Sequence, residues 1–199
     1  VRGHGGVTIG NALVRARDAA TFTLIAEART NEAGEYELSL GAGNYQFEVF
    51  PGFPLPAGAP NVTWQQRTRQ TSITGSTTLD FDLPVAKLTG EVTDSNGAPV
   101  PGVRVAGEGN AFGEGNAFHT ARGASETDAS GRYELLLFTG SNTIVVTPTS
   151  PLGTLVESGV TITGDTTRNF TLPVVTTVSG QVRGHGGVTI GNALVRARD

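Results

Sequence analysis

Residues 30–51, TNEAGEYELSLGAGNYQFEVFP, and residues 127–148, TDASGRYELLLFTGSNTIVVTP, align without a gap, and their reading decides the fold. In each, apolar and polar side chains alternate with a period of two, the pattern of a strand buried on one face. Tyr36, Leu38 and Leu40 point one way, and Glu35, Glu37 and Ser39 the other. Tyr45, Phe47 and Val49 then alternate with Gln46 and Glu48. The second copy repeats this with Tyr133, Leu135 and Leu137, then Ile144 and Val146. Each copy opens on an Asx-to-Gly segment, Asn31–Gly34 or Asp128–Gly131, suited to a hairpin turn. No stretch of about a dozen residues shows a helical period, so the chain reads as all-β.

The correspondence extends outward on both sides. ITGSTTLDFDLPV (73–85) falls on ITGDTTRNFTLPV (162–174), and LTGEVTDSNGAPVPGVRV (88–105) falls on VSGQVRGHGGVTIGNALV (178–195). Around this diverged duplication lies an undiverged one: VRGHGGVTIGNALVRARD occupies both 1–18 and 182–199, a period of 181 residues. The prediction is two tandem seven-stranded Greek-key β-sandwiches, at 1–85 and 86–175, followed by the opening strands of a third at 176–199. Two length differences separate the copies. GEGNAF at 107–112 is repeated at 113–118, and the first domain carries extra residues within 52–70. Both are expected in surface loops, where insertions are tolerated.

The residues Gly90, Pro99, Gly102, Asp128, Gly131 and Tyr133 carry a resemblance. Their order is similar to that of the carboxypeptidase regulatory-like domain, a prealbumin-like sandwich related in appearance to the B-type repeats of bacterial collagen adhesins. The resemblance implies a seven-stranded sandwich of exported bacterial or archaeal proteins, often in tandem. Its motifs are turn and core residues, so they specify fold and leave function open. The first domain departs from the pattern, with Asn11 at the position of Gly102 and a Gly186-Gly187-Val188-Thr189-Ile190 type of turn in place of Gly-x-Pro.

Composition narrows the function. A net charge of −4 gives no electrostatic footprint for nucleic acid or anionic membrane. With no Cys there is no disulfide, thiolate metal site or cysteine nucleophile. With no Met, Val1 is expected to be an internal or processed position, with any export or anchoring signal elsewhere. No apolar run reaches the roughly 18–20 residues of a membrane span.

No catalytic constellation emerges, and no enzyme activity, metal or cofactor is expected. His4, His119 and His185 are scattered polar residues of Gly-rich or strand segments. Asp94, Asn96 and Asp128 are possible Ca²⁺ ligands but equally ordinary turn formers. Lys87 is the sole lysine, which excludes a general Lys–Asn covalent staple. The Pro-rich segment 52–70 holds Phe53, Leu55, Trp64 and Arg67, candidates for an interface or for stacking on a glycan. The sequons at Asn61 and Asn169 matter only in a host that glycosylates them.

The junctions around Pro84, Lys87 and Pro173 are short and hold no flexible Gly/Ser run. Sandwiches joined end to end this way would advance about 70–80 Å per two-domain period. The first domain lacks the residues equivalent to Val178–Gln181, whereas the segment bearing Val178, Val182 and Val195 holds that whole strand, so the sequence is expected to be either one period of a continuous repeat polypeptide or a separate subunit whose C-terminal segment completes the next by strand addition. The expected role is therefore a structural repeat of an extracellular filament, stalk or cell-surface adhesin, with copies of itself as partners. The alternative is a carbohydrate-binding accessory module anchored on Trp64, with surface glycans as ligand.

Overall fold

The computed structural model describes residues 1–112, 117–149, 152–176 and 178–196. Among these the regular structure is entirely β apart from 3-10 turns at His4–Gly6 and His185–Gly187. The first lobe contributes β1 (Leu13–Asp18), β2 (Leu24–Arg29), β3 (Gly43–Phe50), β4 (Thr63–Arg67) and β5 (Thr71–Ile73). The second contributes β6 (Val85–Thr93), β7 (Arg104–Phe112), β8 (Phe118–Glu126), β9 (Arg132–Phe138), β10 (Gly140–Thr147), β11 (Leu155–Ile162), β12 (Thr166–Thr167) and β13 (Phe170–Thr171).

In the second lobe two sheets face each other. One runs β11-β10-β7-β8 and the other is built on β6. The period-two alternation sends Val105, Ile144 and Val146 from the first sheet against Leu88, Leu135, Leu137 and Phe170 from the second, all buried. The smaller sheet is mixed. β9 pairs antiparallel with β6, while β12 and β13 run parallel to it. Turns match their residues: Asp94 Oδ1 accepts the amides of Asn96 and Ala98, and Asp128 Oδ1 those of Ser130 and Arg132. One carboxylate oxygen each of Asp94 and Asp128 thus serves as a turn acceptor.

The first lobe has the same larger sheet, with β3 between β1 and the β4/β5 strand and with β2 at the edge. Its smaller sheet is missing. GEYELSL, expected as a strand, pairs with nothing over residues 35–40. Leu38 and Leu40 are only half-buried, whereas Leu135 and Leu137 in the second lobe are 3% and 0% exposed. In the second lobe the whole of β9 pairs with residues 85–91 of β6, and by the alignment Val1 corresponds to Val92. The bridge beyond that point is kept in both lobes, Arg2 to Asp82 in the first and Thr93 to Thr171 in the second.

The lobes are joined differently from the expected end-to-end arrangement. β4 pairs antiparallel with β8, from Thr63↔Arg122 to Arg67↔Phe118, so the two larger sheets become one nine-stranded sheet. Its longest path, β11-β10-β7-β8-β4-β3-β1-β2, crosses from one lobe to the other side by side. The expected opening strands within 176–199 are also not formed. The described residues there carry only the His185–Gly187 turn and an isolated Arg183↔Thr189 bridge.

Candidate assembly surfaces

The junction between the lobes is built from β4, a segment whose TWQQR sequence combines β-branched and aromatic residues without alternation. Trp64 is 1% exposed and packs on Phe138 at the end of β9, with ring centroids 6.4 Å apart. Phe138 and Ala121 belong to the second lobe's chain but lie in the apolar core of the first. His119 stands edge-on to Phe138 at 5.5 Å and lies 3.4 Å from the Thr139 carbonyl oxygen. His119 is thus a packing residue of this seam.

On the opposite face of the sheet, Glu48 of β3 is buried, with its side chain only 4% exposed. The alternation of the strand predicts that Gln46 and Glu48 face outward. Here both are buried together with Tyr45, Phe47 and Val49, because side chains from neighbouring strands cover the second face. Arg17 Nε donates to Glu48 Oε2 at 2.6 Å, and Arg67 donates to Oε1 through Nη2 at 2.7 Å and Nε at 3.0 Å. Burial pushes the Glu48 pKa up. The hydrogen bonds and charges of Arg17 and Arg67 outweigh that and hold it below the ordinary glutamate value. The Arg67 guanidinium also lies 5.3 Å from the Phe118 ring centroid, linking β4 to β8. Nothing in the local sequence distinguishes Glu48 from an exposed strand carboxylate; its burial depends on β4 and β1 arriving on either side.

A second link between the lobes passes through Asp165. Its Oδ1 lies 2.8 Å from His4 Nε2 and accepts the Lys87 amide at 2.9 Å. The Lys87 amide and then His4 lower the Asp165 pKa. Lys87 Nζ pairs with Glu134 Oε1 at 2.9 Å, across the β6–β9 ladder. Of the junction prolines, Pro84 presents its carbonyl to the Thr139 amide at 2.7 Å, while Pro173 lies beside Gly153 at the far end of the second lobe.

The four residues singled out in the Pro-rich segment are not brought together. Trp64 and Arg67 lie in the sheet junction, Leu55 is half-buried, and Phe53 stands 78% exposed on the loop, whose carbonyl accepts Asn11 Nδ2 at 3.0 Å. A ring enclosed as Trp64 is offers no face on which a sugar could stack.

Two further surfaces are open. The first is a groove of about 900 Å³ along the first lobe, between residues 35–40 and 74–81, floored by Phe47 and Ile73. The second is the C-terminal segment, where Val174, Val178 and Val195 are 72%, 94% and 76% exposed and Val182 is 38% exposed.

No family model and no curated protein matches the chain. Among solved structures it is similar to the dioxygenase domain of a dioxygenase–carbohydrate-binding fusion from Streptomyces sp. SirexAA-E, at 19% identity over 52% of this chain and 86% of that one, with a TM-score of 0.33. It is similar to GBS52, the minor pilin of Streptococcus agalactiae, at 15% identity over 89% of each chain, with a TM-score of 0.40. It is also similar to the shaft pilin SpaA of Lactobacillus rhamnosus GG, at 10% identity over 88% and 91% of the two chains, with a TM-score of 0.36. These likenesses are remote.

Proposed function

We propose that this chain is a structural unit of an extracellular filament, stalk or surface adhesin, and that its partners are further copies of the same unit. The observation that carries the reading is the fusion of both lobes into one nine-stranded sheet, within a chain whose residues 1–18 and 182–199 are identical. A sheet that runs through two lobes resists bending between them, as a load-bearing rod requires. An undiverged repeat with a period of 181 residues is the pattern expected of a tandem array of such units.

Electron microscopy of the chain at high concentration tests this. The expected result is unbranched linear arrays with a regular axial repeat. Because the lobes pair edge to edge, that repeat should be shorter than the about 70–80 Å of sandwiches placed end to end. Dispersed single particles at every concentration would refute the reading.

A further inference from the structure

We infer that Asn61 is a positioning residue of the seam between the lobes. Its side-chain amide stands in for a backbone peptide group and carries the pairing of β4 with β8 past the end of the strand. The inference concerns the single chain and holds whether or not copies assemble.

The seam is built where the two halves of the chain differ in length. β4 lies within the segment 52–70 that lengthens the first half, and β8 begins at Phe118, the last residue of the repeated GEGNAF. In the first half, β2 begins at Leu24, which sits against Arg17 as Arg122 of β8 sits against Glu108. Phe118–Ala121 are therefore a strand extension particular to the second half. Likewise Arg67 sits against Glu48 as Val156 sits against Val145, so Thr63–Gln65 run past the point where β11 begins, at Leu155. These two extensions pair with each other, from Thr63↔Arg122 to Arg67↔Phe118.

Beyond Thr63 the same register places residue 61 opposite Ala124. The Val62 amide donates to the Arg122 carbonyl at 3.2 Å. At Asn61 the side chain takes over. Asn61 Nδ2 donates to the Ala124 carbonyl at 2.8 Å, and the Ala124 amide donates to Asn61 Oδ1 at 2.9 Å. Two bonds exchanged with one residue are the signature of a hydrogen-bonded pair in an antiparallel ladder. On its other side Ala124 is in register with Ala106 of β7, so Asn61 completes the row across the sheet.

An amide is the side chain that this place requires. It carries a donor and an acceptor side by side, as a peptide group does, and the two backbone groups of Ala124 are their complements. Pro60 comes next in the chain and has no amide hydrogen with which to continue the ladder. Asn61 is itself exposed, so replacing it leaves no cavity and isolates the two hydrogen bonds.

Hydrogen exchange at the Ala124 amide, followed by NMR on the dispersed chain, tests the inference. Asn61→Ala should lower the protection of that amide about tenfold at every pH, the scale of two solvent-accessible hydrogen bonds. Asn61→Asp is the sharper probe. Its carboxylate can accept from the Ala124 amide but sets a second acceptor against the Ala124 carbonyl, so protection at pH 7 should fall at least as far. Once protonated, the new carboxyl regains a donor. Protection relative to the parent at the same pH should then recover as pH falls from 7 through about 4. Taking the ratio to the parent removes the acid sensitivity of Glu48, which both chains share. The Val145 amide of β10 should exchange alike in all three chains.

Unchanged protection of Ala124 in Asn61→Ala would overturn the inference. So would an Asn61→Asp ratio that stays level as pH falls, since a polar edge residue without the pairing role has no reason to recover. A loss at Val145 as large as that at Ala124 would make the effect global and overturn it as well.

Discussion

Trp64 and Phe138 lie in contact with ring centroids 6.4 Å apart and planes tilted by 47°, one ring supplied by each lobe. Both are at most 1% exposed, so the contact is core rather than surface. The two lobes therefore share interior, and their stabilities are coupled through it. Trp64→Ala removes a large buried ring and should destabilise the chain by about 3–5 kcal/mol. It should also split unfolding, followed by circular dichroism in urea, from one transition into two. A single transition with an unchanged midpoint would show that the seam contributes nothing.

Glu48 gives the chain an acid sensitivity of known sign. Its folded pKa lies below the ordinary value of 4.5, so the stability it contributes is fully present above that pH. That contribution is lost as pH falls below 4.5 through the folded pKa, when the carboxyl protonates and releases Arg17 and Arg67. Glu48→Gln should cost roughly 2 kcal/mol at pH 7, the scale of hydrogen bonds to a charged group. It should also flatten the parent's loss of stability on acidification, as read from urea midpoints across the acid range.

Much of this was legible in the sequence, and the parts that were not share one cause. The alternation in NYQFEVF and RYELLLF placed Phe47, Val49, Leu135 and Leu137 in the interior correctly, because one-sided burial depends only on neighbours in sequence. The same alternation points Glu48 outward, since its cover, Arg17 and Arg67, comes from strands about twenty to thirty residues away. The surroundings of Trp64 in sequence suit a loop, and β4 acquires strand character from β8, a partner in the other lobe. Conversely, GEYELSL has the pattern of a strand, yet residues 35–40 pair with no described strand. Pattern encodes readiness to pair, and only topology supplies the partner.

Tyr36 should report on the groove at alkaline pH. Burial, aided by the charge of Asp80, pushes its phenol up to about 12 from an ordinary 10.0. An acid whose folded pKa is raised favours the neutral folded form, so stability should fall as pH climbs from about 10 to about 12, where the unfolded chain has already released its proton. Absorbance titration should show two phenols released above the ordinary range, Tyr36 and the still more strongly raised Tyr133, and Tyr36→Phe should remove the lower of the two. A titration unchanged in that variant would assign the lower component elsewhere.

The duplicated GEGNAF has a structural consequence that can be undone by one deletion. Removing either copy, 107–112 or 113–118, yields the same sequence and shortens the β7–β8 hairpin by six residues. The pairs from Arg104↔Glu126 to Gly109↔Ala121 can still form, and a connection of about five residues then suffices, comparable to the one between β1 and β2. What disappears is the strand at Phe118, His119 and Thr120, and with it the pairs to Arg67, Gln66 and Gln65. Only Thr63↔Arg122 and Trp64↔Ala121 would remain to hold the lobes edge to edge. The expected outcome is two folded lobes that move independently. Small-angle scattering should give a larger radius of gyration, and hydrogen exchange should quicken across residues 63–67 while β10 stays protected. If scattering and exchange are unchanged, the hairpin extension is not the clamp, and the seam rests on Trp64 and Phe138 alone.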